Sequence, residues 1–238
     1  MKSSGWAKFW EGQGDAFSTI MKINTAFFGD RLKKEFALKP RMRILDYGCG
    51  PGLLADQLAP DDLSITGVDI NNDFILQCQK NHPRSQFIQI SPDINITERL
   101  LADALAGTQF DVIVLLSILQ YFKEINEVES VLRLLHGYTL PTGKIILADV
   151  IAEGTKPLND TISLFVQSVR QNKVGAFFGF IFYLISSDYR KVSAESKLLS
   201  ISLEAINDIA TRQGFSLAKM EGLTIHRSRT NYVLTKLQ

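Results

Sequence analysis

Between Arg43 and Val150 the chain repeats one rhythm: a short apolar run suited to a strand, a stretch with helical spacing, then another run. Arg43–Tyr47, Leu63–Asp69, Gln86–Ile90, Phe110–Leu116 and Lys144–Val150 are the strand candidates. Leu54–Leu58 lies in a helix ended by Pro60, and Asn72–Lys80 in one stopped before Pro83. Glu124–Leu135 places Ile125, Val128, Val131, Leu132 and Leu135 along one helical face. Strand, helix, strand at this period requires right-handed crossovers and a parallel sheet covered on both sides.

The flanks complete the architecture. From Asp15 to Phe36, the residues Phe17, Ile20, Met21, Phe27, Phe28, Leu32 and Phe36 fit one side of a helix that Lys39-Pro40 stops. After Val150 the rhythm breaks, and residues 151–200 have helical stretches without an obvious strand. A helix over Leu203–Gln213, a stop at Gly214 and strands over Phe215–Glu221 and Thr230–Leu237 then follow. The few residues between those last strands are too short for a parallel crossover, so they pair as an antiparallel hairpin. The expectation is a single α/β domain over 1–238, with a Rossmann-like, seven-stranded, mostly parallel sheet. Its parts are a helical N-terminal cap (1–39), a ligand-binding core (40–150), a helical lid or substrate insertion (151–200) and a C-terminal helix with its hairpin (201–238).

Composition narrows the function. Twenty-six basic residues against 25 acidic ones leave a net charge of +1, so there is no electrostatic footprint for nucleic acid and no polybasic face for anionic membrane. Cys49 and Cys78 are the two cysteines, which rules out a disulfide-stapled scaffold and favours a reducing compartment. The N-terminus carries no apolar signal region, and the longest apolar stretch, Val174–Ile185, is too short to span a bilayer. A cytoplasmic protein without stable membrane insertion is expected.

The informative segment is Asp46-Tyr47-Gly48-Cys49-Gly50-Pro51-Gly52, which follows the first strand and opens the first helix. In an open α/β sheet that is where ligands bind. Asp69 closes the second strand, placed to accept hydrogen bonds from two ribose hydroxyls. A dinucleotide fingerprint requires a glycine at its sixth position, where this chain has Leu53, and Asp46 would repel a pyrophosphate. No Gly-Lys-Ser/Thr run makes a phosphate loop. A nucleoside with positive charge and no phosphates fits, and S-adenosylmethionine answers that description. An NAD-dependent oxidoreductase is disfavoured by the same two residues.

Here the chain resembles the class I S-adenosylmethionine-dependent methyltransferases of small-molecule type. The resemblance rests on the glycine motif, on Gly67-Val68-Asp69, on Phe110–Phe122 as the fourth-strand segment, and on the turn Leu140-Pro141-Thr142-Gly143-Lys144. It implies that Asp46, Gly48 and Gly50 hold the methionine moiety, with Cys49 and Gly52 completing the turn. It also implies that Asp69 holds the ribose, that Ile70 flanks the adenine, and that Ser117 and Gln120 line the methyl-transfer side. The family often binds the adenine amine with an Asp just after the third strand. Ser91-Pro92 stands there in this chain, and Asp93 follows as the candidate. Cys49 also reads as a small packing residue, because no metal-ligand or nucleophile spacing accompanies it, and no metal is expected.

On the acceptor side, the penultimate strand runs up and the last returns, so the loop Gly222–Arg229 reaches the edge where the methyl group transfers. His226 is the candidate general base, with a polar loop histidine as the alternative. His82 and His136 read as structural. Arg227 and Arg229 offer a grip on a carboxylate or phosphate, or are solvated loop charges. Trp6 and Trp10 cap the cofactor or anchor the N-terminus. The run Val174–Ile185 holds Phe177, Phe178, Phe180, Phe182 and Tyr183, more aromatic side chains than one core-facing stripe needs. Phe178, Phe182 and Tyr183 are candidates for an acceptor pocket, together with Trp10, Tyr121 and Arg229. A packing helix, a homodimer contact or shallow membrane contact are the other readings of that run.

The expected function is methyl transfer from S-adenosylmethionine to a small apolar or aromatic acceptor, at oxygen. The alternatives are a nitrogen or carbon methyltransferase, or a catalytically silent S-adenosylmethionine-binding partner protein.

Overall fold

A computed structural model describes residues 15–154, 198–226 and 228–237. Its seven strands are β1 (Arg43–Tyr47), β2 (Ser64–Asp69), β3 (Gln86–Gln89), β4 (Phe110–Leu116), β5 (Thr139–Val150), β6 (Phe215–Met220) and β7 (Thr230–Lys236). The helices among the described residues are α1 (Asp15–Glu35), α2 (Leu53–Leu58), α3 (Asn72–Asn81), α4 (Ile94–Leu105), α5 (Ile125–Tyr138) and α6 (Leu203–Arg212). The strands lie in the order β3-β2-β1-β4-β5-β7-β6. The first five are parallel, and β7 runs antiparallel to both β5 and β6.

Alternation along the strands builds two cores. Leu45, Ile113, Leu115, Ile145 and Leu147 point to the face covered by α4, α5 and α6, where Leu101, Leu132 and Ile206 meet them. Ile44, Val112, Val114, Ile146 and Ala148 point to the other face, covered by α1, α2 and α3. There Phe28 and Leu32 of α1 pack with Leu54 and Leu58 of α2, all essentially inaccessible to solvent. Strands buried on both faces read as continuous apolar runs, as Val112–Leu115 does.

Because β2 and β4 flank β1, the chain reverses its direction of sheet growth there. In such sheets ligands bind outside the carboxyl ends of the strands at this switch point, here β1 and β4.

Two expectations need correction. Residues between β3 and β4 received no helix from periodicity, yet α4 occupies them, started by Asp93, whose side chain accepts from the Asn95 amide. The fifth strand also begins earlier than Lys144. Thr139 pairs with Phe110, and the register then shifts so that Val112 faces Lys144, which absorbs the Leu140–Gly143 turn into one irregular strand. Most of the expected lid lies outside the described residues. No helix among the described residues is long and apolar enough to cross a membrane.

Candidate cofactor and acceptor site

The turn after β1 is pinned to the strand beside it. The amides of Gly48 and Cys49 both donate to the Val68 carbonyl, at 2.7 and 3.0 Å. Gly48 has φ 82°, and a Cβ there would lie 2.6 Å from Cγ2 of Ile118, so that position admits glycine alone. Gly50 also has positive φ, 50°, but nothing among the described residues lies within 4 Å of where its Cβ would stand. Its open side is therefore a place where a ligand can approach the backbone.

Asp69 ends β2 against this turn. One carboxylate oxygen accepts from the Gly50 amide at 2.9 Å, the other from the Asn71 amide at 2.8 Å. The two oxygens together offer about four lone-pair directions, which leaves room for a further donor. Burial raises the Asp69 carboxyl above its usual range, and hydrogen bonds from the Asn71, Gly50 and Ile70 amides partly offset this. Asn71 then caps α3, accepting from the Asp73 and Phe74 amides. Ile70 stands 43% exposed at the lip, an apolar surface open to a flat ring.

Asp46, only 4% exposed at the end of β1, is the second carboxyl. Burial first, and the charge of Asp69 second, push it up to about 7. A carboxyl held half-ionised at neutral pH gains most from a cation brought beside it. The same two causes push the Tyr47 phenol up.

Cys49 and Cys78 meet around this turn. Their Sγ atoms lie 3.7 and 3.4 Å from the Gly50 carbonyl. Both are free and buried, and the Cys49 thiol is pushed well above its ordinary value, chiefly by its hydrogen bond with Cys78 and then by burial. Sequence reasoning did not pair them. The packing role for Cys49 agrees with this geometry.

At the end of β4, Ser117 adopts φ 56° and donates through Oγ to Asp149 Oδ2 at 2.6 Å. Gln120 is buried in the 3-10 turn Leu119–Tyr121, and its Nε2 donates to the Ser117 carbonyl at 2.7 Å. Tyr121 is half-buried beside it. Asp149 is a participant that sequence reasoning missed. Its one signal was an acidic residue inside the otherwise apolar Ile145–Val150.

Of the remaining candidates, Asp93 lies past β3 but already serves as the α4 cap. Its carboxylate accepts from the Asn95 amide at 2.9 Å. Gly52 is the residue before α2, with φ 84°. The antiparallel pairing of β6 and β7 carries the connecting loop to the same sheet edge as Asp149, as the topology required. His226 and Arg229 are partly buried in that loop, the Arg229 amide donating to the His226 carbonyl at 3.3 Å. His82 packs its ring on Phe87 and His136 packs edge-on to Phe215, both structural settings. Trp6, Trp10, Phe178, Phe182, Tyr183 and Arg227 lie outside the described residues.

The donor set suits S-adenosylmethionine. Asp69 offers acceptors to a diol, Gly50 leaves open space over the backbone, and the buried Asp46 carboxyl favours a cationic ligand over a pyrophosphate.

Comparison with known proteins agrees. A methyltransferase domain family model matches residues 38–196. The chain is 32% identical over 123 residues to a ubiquinone biosynthesis O-methyltransferase of Coxiella burnetii, covering 50% of this chain and 49% of that protein. It thus spans about half the length of the curated relatives it matches. The fold superposes on magnesium protoporphyrin IX methyltransferase from Synechocystis with bound S-adenosylhomocysteine, with a TM-score of 0.58, 16% identity and 95% and 90% of the two chains covered. It also superposes on an amino pentose methyltransferase from Micromonospora echinaspora, with a TM-score of 0.58, 11% identity and coverage of 97% and 95%. With the family match spanning most of the sequence and the strand order and glycine turn in place, this chain belongs to the class I S-adenosylmethionine-dependent methyltransferases.

Proposed function

We propose that this protein transfers the methyl group of S-adenosylmethionine to a hydroxyl oxygen of a small acceptor with apolar or aromatic surface. The observation that carries the reading is the constellation at the β1–β2 edge: a buried Asp46 carboxyl, an open Gly50, and an Asp69 held by two backbone amides. Oxygen as the target is supported by relatives named O-methyltransferases and by the position of His226 at the acceptor edge.

When bound, the cofactor supplies a methyl group on a sulfonium, an electrophile with a good leaving group. Asp69 would hold the ribose hydroxyls, and the Asp46 carboxylate would stabilise the cationic end. Gly48 and Gly50 let the backbone lie close to the ligand. At the acceptor edge, His226 would take the proton of the hydroxyl that receives the methyl group. Alignment of this kind can supply about 7–11 kcal/mol of the barrier, so a rigid turn matters more than a strong base.

Calorimetric titration with S-adenosylmethionine, S-adenosylhomocysteine and NAD tests the cofactor, with Asp69→Ala as control. Micromolar binding of the first two, lost in the variant, is expected. Binding of NAD alone, or of none, would overturn the reading. Methyl transfer to phenols, compared with anilines, then tests the target atom.

A further inference from the structure

The carboxyl end of β5 holds a residue, Asp149, outside the set proposed for the cofactor. Across the β5–β7 pair, Leu147 faces Tyr232 and Val150 faces Thr230, so Ala148 and Asp149 together stand opposite Asn231 alone. This is a β-bulge, a device that re-aims one side chain. Asp149 sits in it with φ 64°, an unfavourable backbone for a residue with a Cβ. Its amide is held by Asn231 Oδ1 at 2.9 Å, and Thr224 Oγ1 approaches the same oxygen at 3.4 Å. Asp149, Asn231 and Thr224 are all buried.

The bulge turns the carboxylate toward Ser117, which donates to Oδ2 at 2.6 Å. Oδ1 is closed off from solvent and accepts from nothing among the described residues. Buried carboxylate oxygens normally have a donor, and strain of this sort persists where the surrounding structure imposes it. Here an Asn, a Thr and a Ser are all spent on orienting one carboxylate whose second oxygen awaits a partner.

Position says which partner. Asp46 and Asp69 close β1 and β2, and β5 lies on the far side of β4 from both. It borders the His226 loop instead. We propose that Asp149 is an acceptor-binding residue, its Oδ1 receiving a second O–H or N–H of the molecule that is methylated, beside the hydroxyl assigned to His226. This rests on the methyl-transfer reading and adds to it that the acceptor presents a hydrogen-bond donor at the β5 end of the site.

The test compares the wild-type protein with Asp149→Asn and Asp149→Gly. Both replacements tolerate positive φ, so the bulge survives in each. Calorimetry with S-adenosylhomocysteine comes first, and dissociation constants within twofold of one another are expected for all three proteins. The S-adenosylhomocysteine complexes are then titrated with 4-butylcatechol, which carries a second O–H, and with 4-butylphenol, which does not, followed by NMR. The catechol should bind the wild-type complex at least tenfold more tightly than the Asp149→Gly complex, with Asp149→Asn between them, and the phenol should not distinguish the three. A tenfold or greater loss of S-adenosylhomocysteine affinity in both variants would assign Asp149 to the cofactor and overturn the proposal. Equal catechol binding by all three complexes, or by none, overturns it as well. Failure of the wild-type protein to bind S-adenosylhomocysteine overturns the methyl-transfer reading and this proposal with it.

Discussion

The Gly50 amide donates to Asp69 Oδ2 at 2.9 Å, so the residue that would hold the ribose also fixes the conformation of the turn beside it. Asp69→Ala removes the charged acceptor left for the ligand and the one that holds the turn. At about 1.5–3 kcal/mol for each hydrogen bond to a charged group, S-adenosylhomocysteine affinity should fall on the order of 100-fold or more. Asp69→Asn keeps one acceptor oxygen and should fall between that variant and the wild type. Calorimetry on the three proteins checks the order, and equal affinity in all three would remove the ribose role.

Asp46 gives the site a pH dependence whose sign is fixed. Its carboxyl titrates at about 7 in the free protein, raised from 3.8 by burial and then by Asp69. A cationic ligand prefers the carboxylate, so S-adenosylmethionine should bind more tightly as pH rises from 6 to 8. Binding near pH 7 should also release protons, visible as a dependence of the calorimetric heat on buffer ionisation enthalpy. Asp46→Asn should flatten both effects while weakening binding at pH 8.

The same group sets a stability trend in the free protein. A pKa raised on folding favours the folded state below the unfolded value, and the benefit is lost as pH rises through the folded value. The trend between pH 4 and 7 is on the order of 4 kcal/mol against the folded state. Asp46→Asn should therefore raise the melting temperature of the ligand-free protein at pH 8 by more than at pH 5. A constant difference across that range would show that Asp46 does not titrate there.

Two glycines of one turn should separate folding from binding. Gly48→Ala puts a Cβ 2.6 Å from Ile118 at φ 82°, so the chain must shift. A loss of about 2 kcal/mol or more in urea unfolding is expected from strain and crowding together. Gly50→Ala meets open space and carries backbone strain alone, about 1–2 kcal/mol. Its larger effect should be on S-adenosylhomocysteine affinity, because the new methyl group stands on the open side of the turn.

Cys49 and Cys78 should be unreactive in the native state. Both are buried, and the Cys49 thiol is held protonated by its contact with Cys78 and by burial. Ellman's reagent at pH 7.5 should label neither within minutes and both after denaturation. Rapid labelling of the folded protein would show that the turn opens.

What the sequence made legible was whatever local pattern controls. Phe110–Leu116 was readable because a strand buried on both faces has no alternation to obscure it. The Gly48–Gly52 turn and Asp69 were readable because their chemistry is compressed into a short span. Helix α4 was not, because its apolar residues do not keep to one face: Ile96 is 42% and Leu100 39% exposed, while Thr97 is buried. The early start of β5 depends on Thr139 meeting Phe110, a pairing that Pro141 and Gly143 argue against locally. Asp149 was silent for a similar reason. Its bulge exists because Asn231, from the far end of the chain, takes its amide.

That bulge divides the labour of the sheet. The groups proposed for the cofactor lie on β1, β2, β4 and the loops that follow them, whereas the carboxylate at the end of β5 is oriented by Asn231 and by Thr224 of the C-terminal hairpin. Selection acting on that hairpin can therefore re-aim the acceptor's anchor while the nucleoside-binding half stays as it is. A scaffold arranged this way can diversify in what it methylates without having to relearn how it binds the methyl donor.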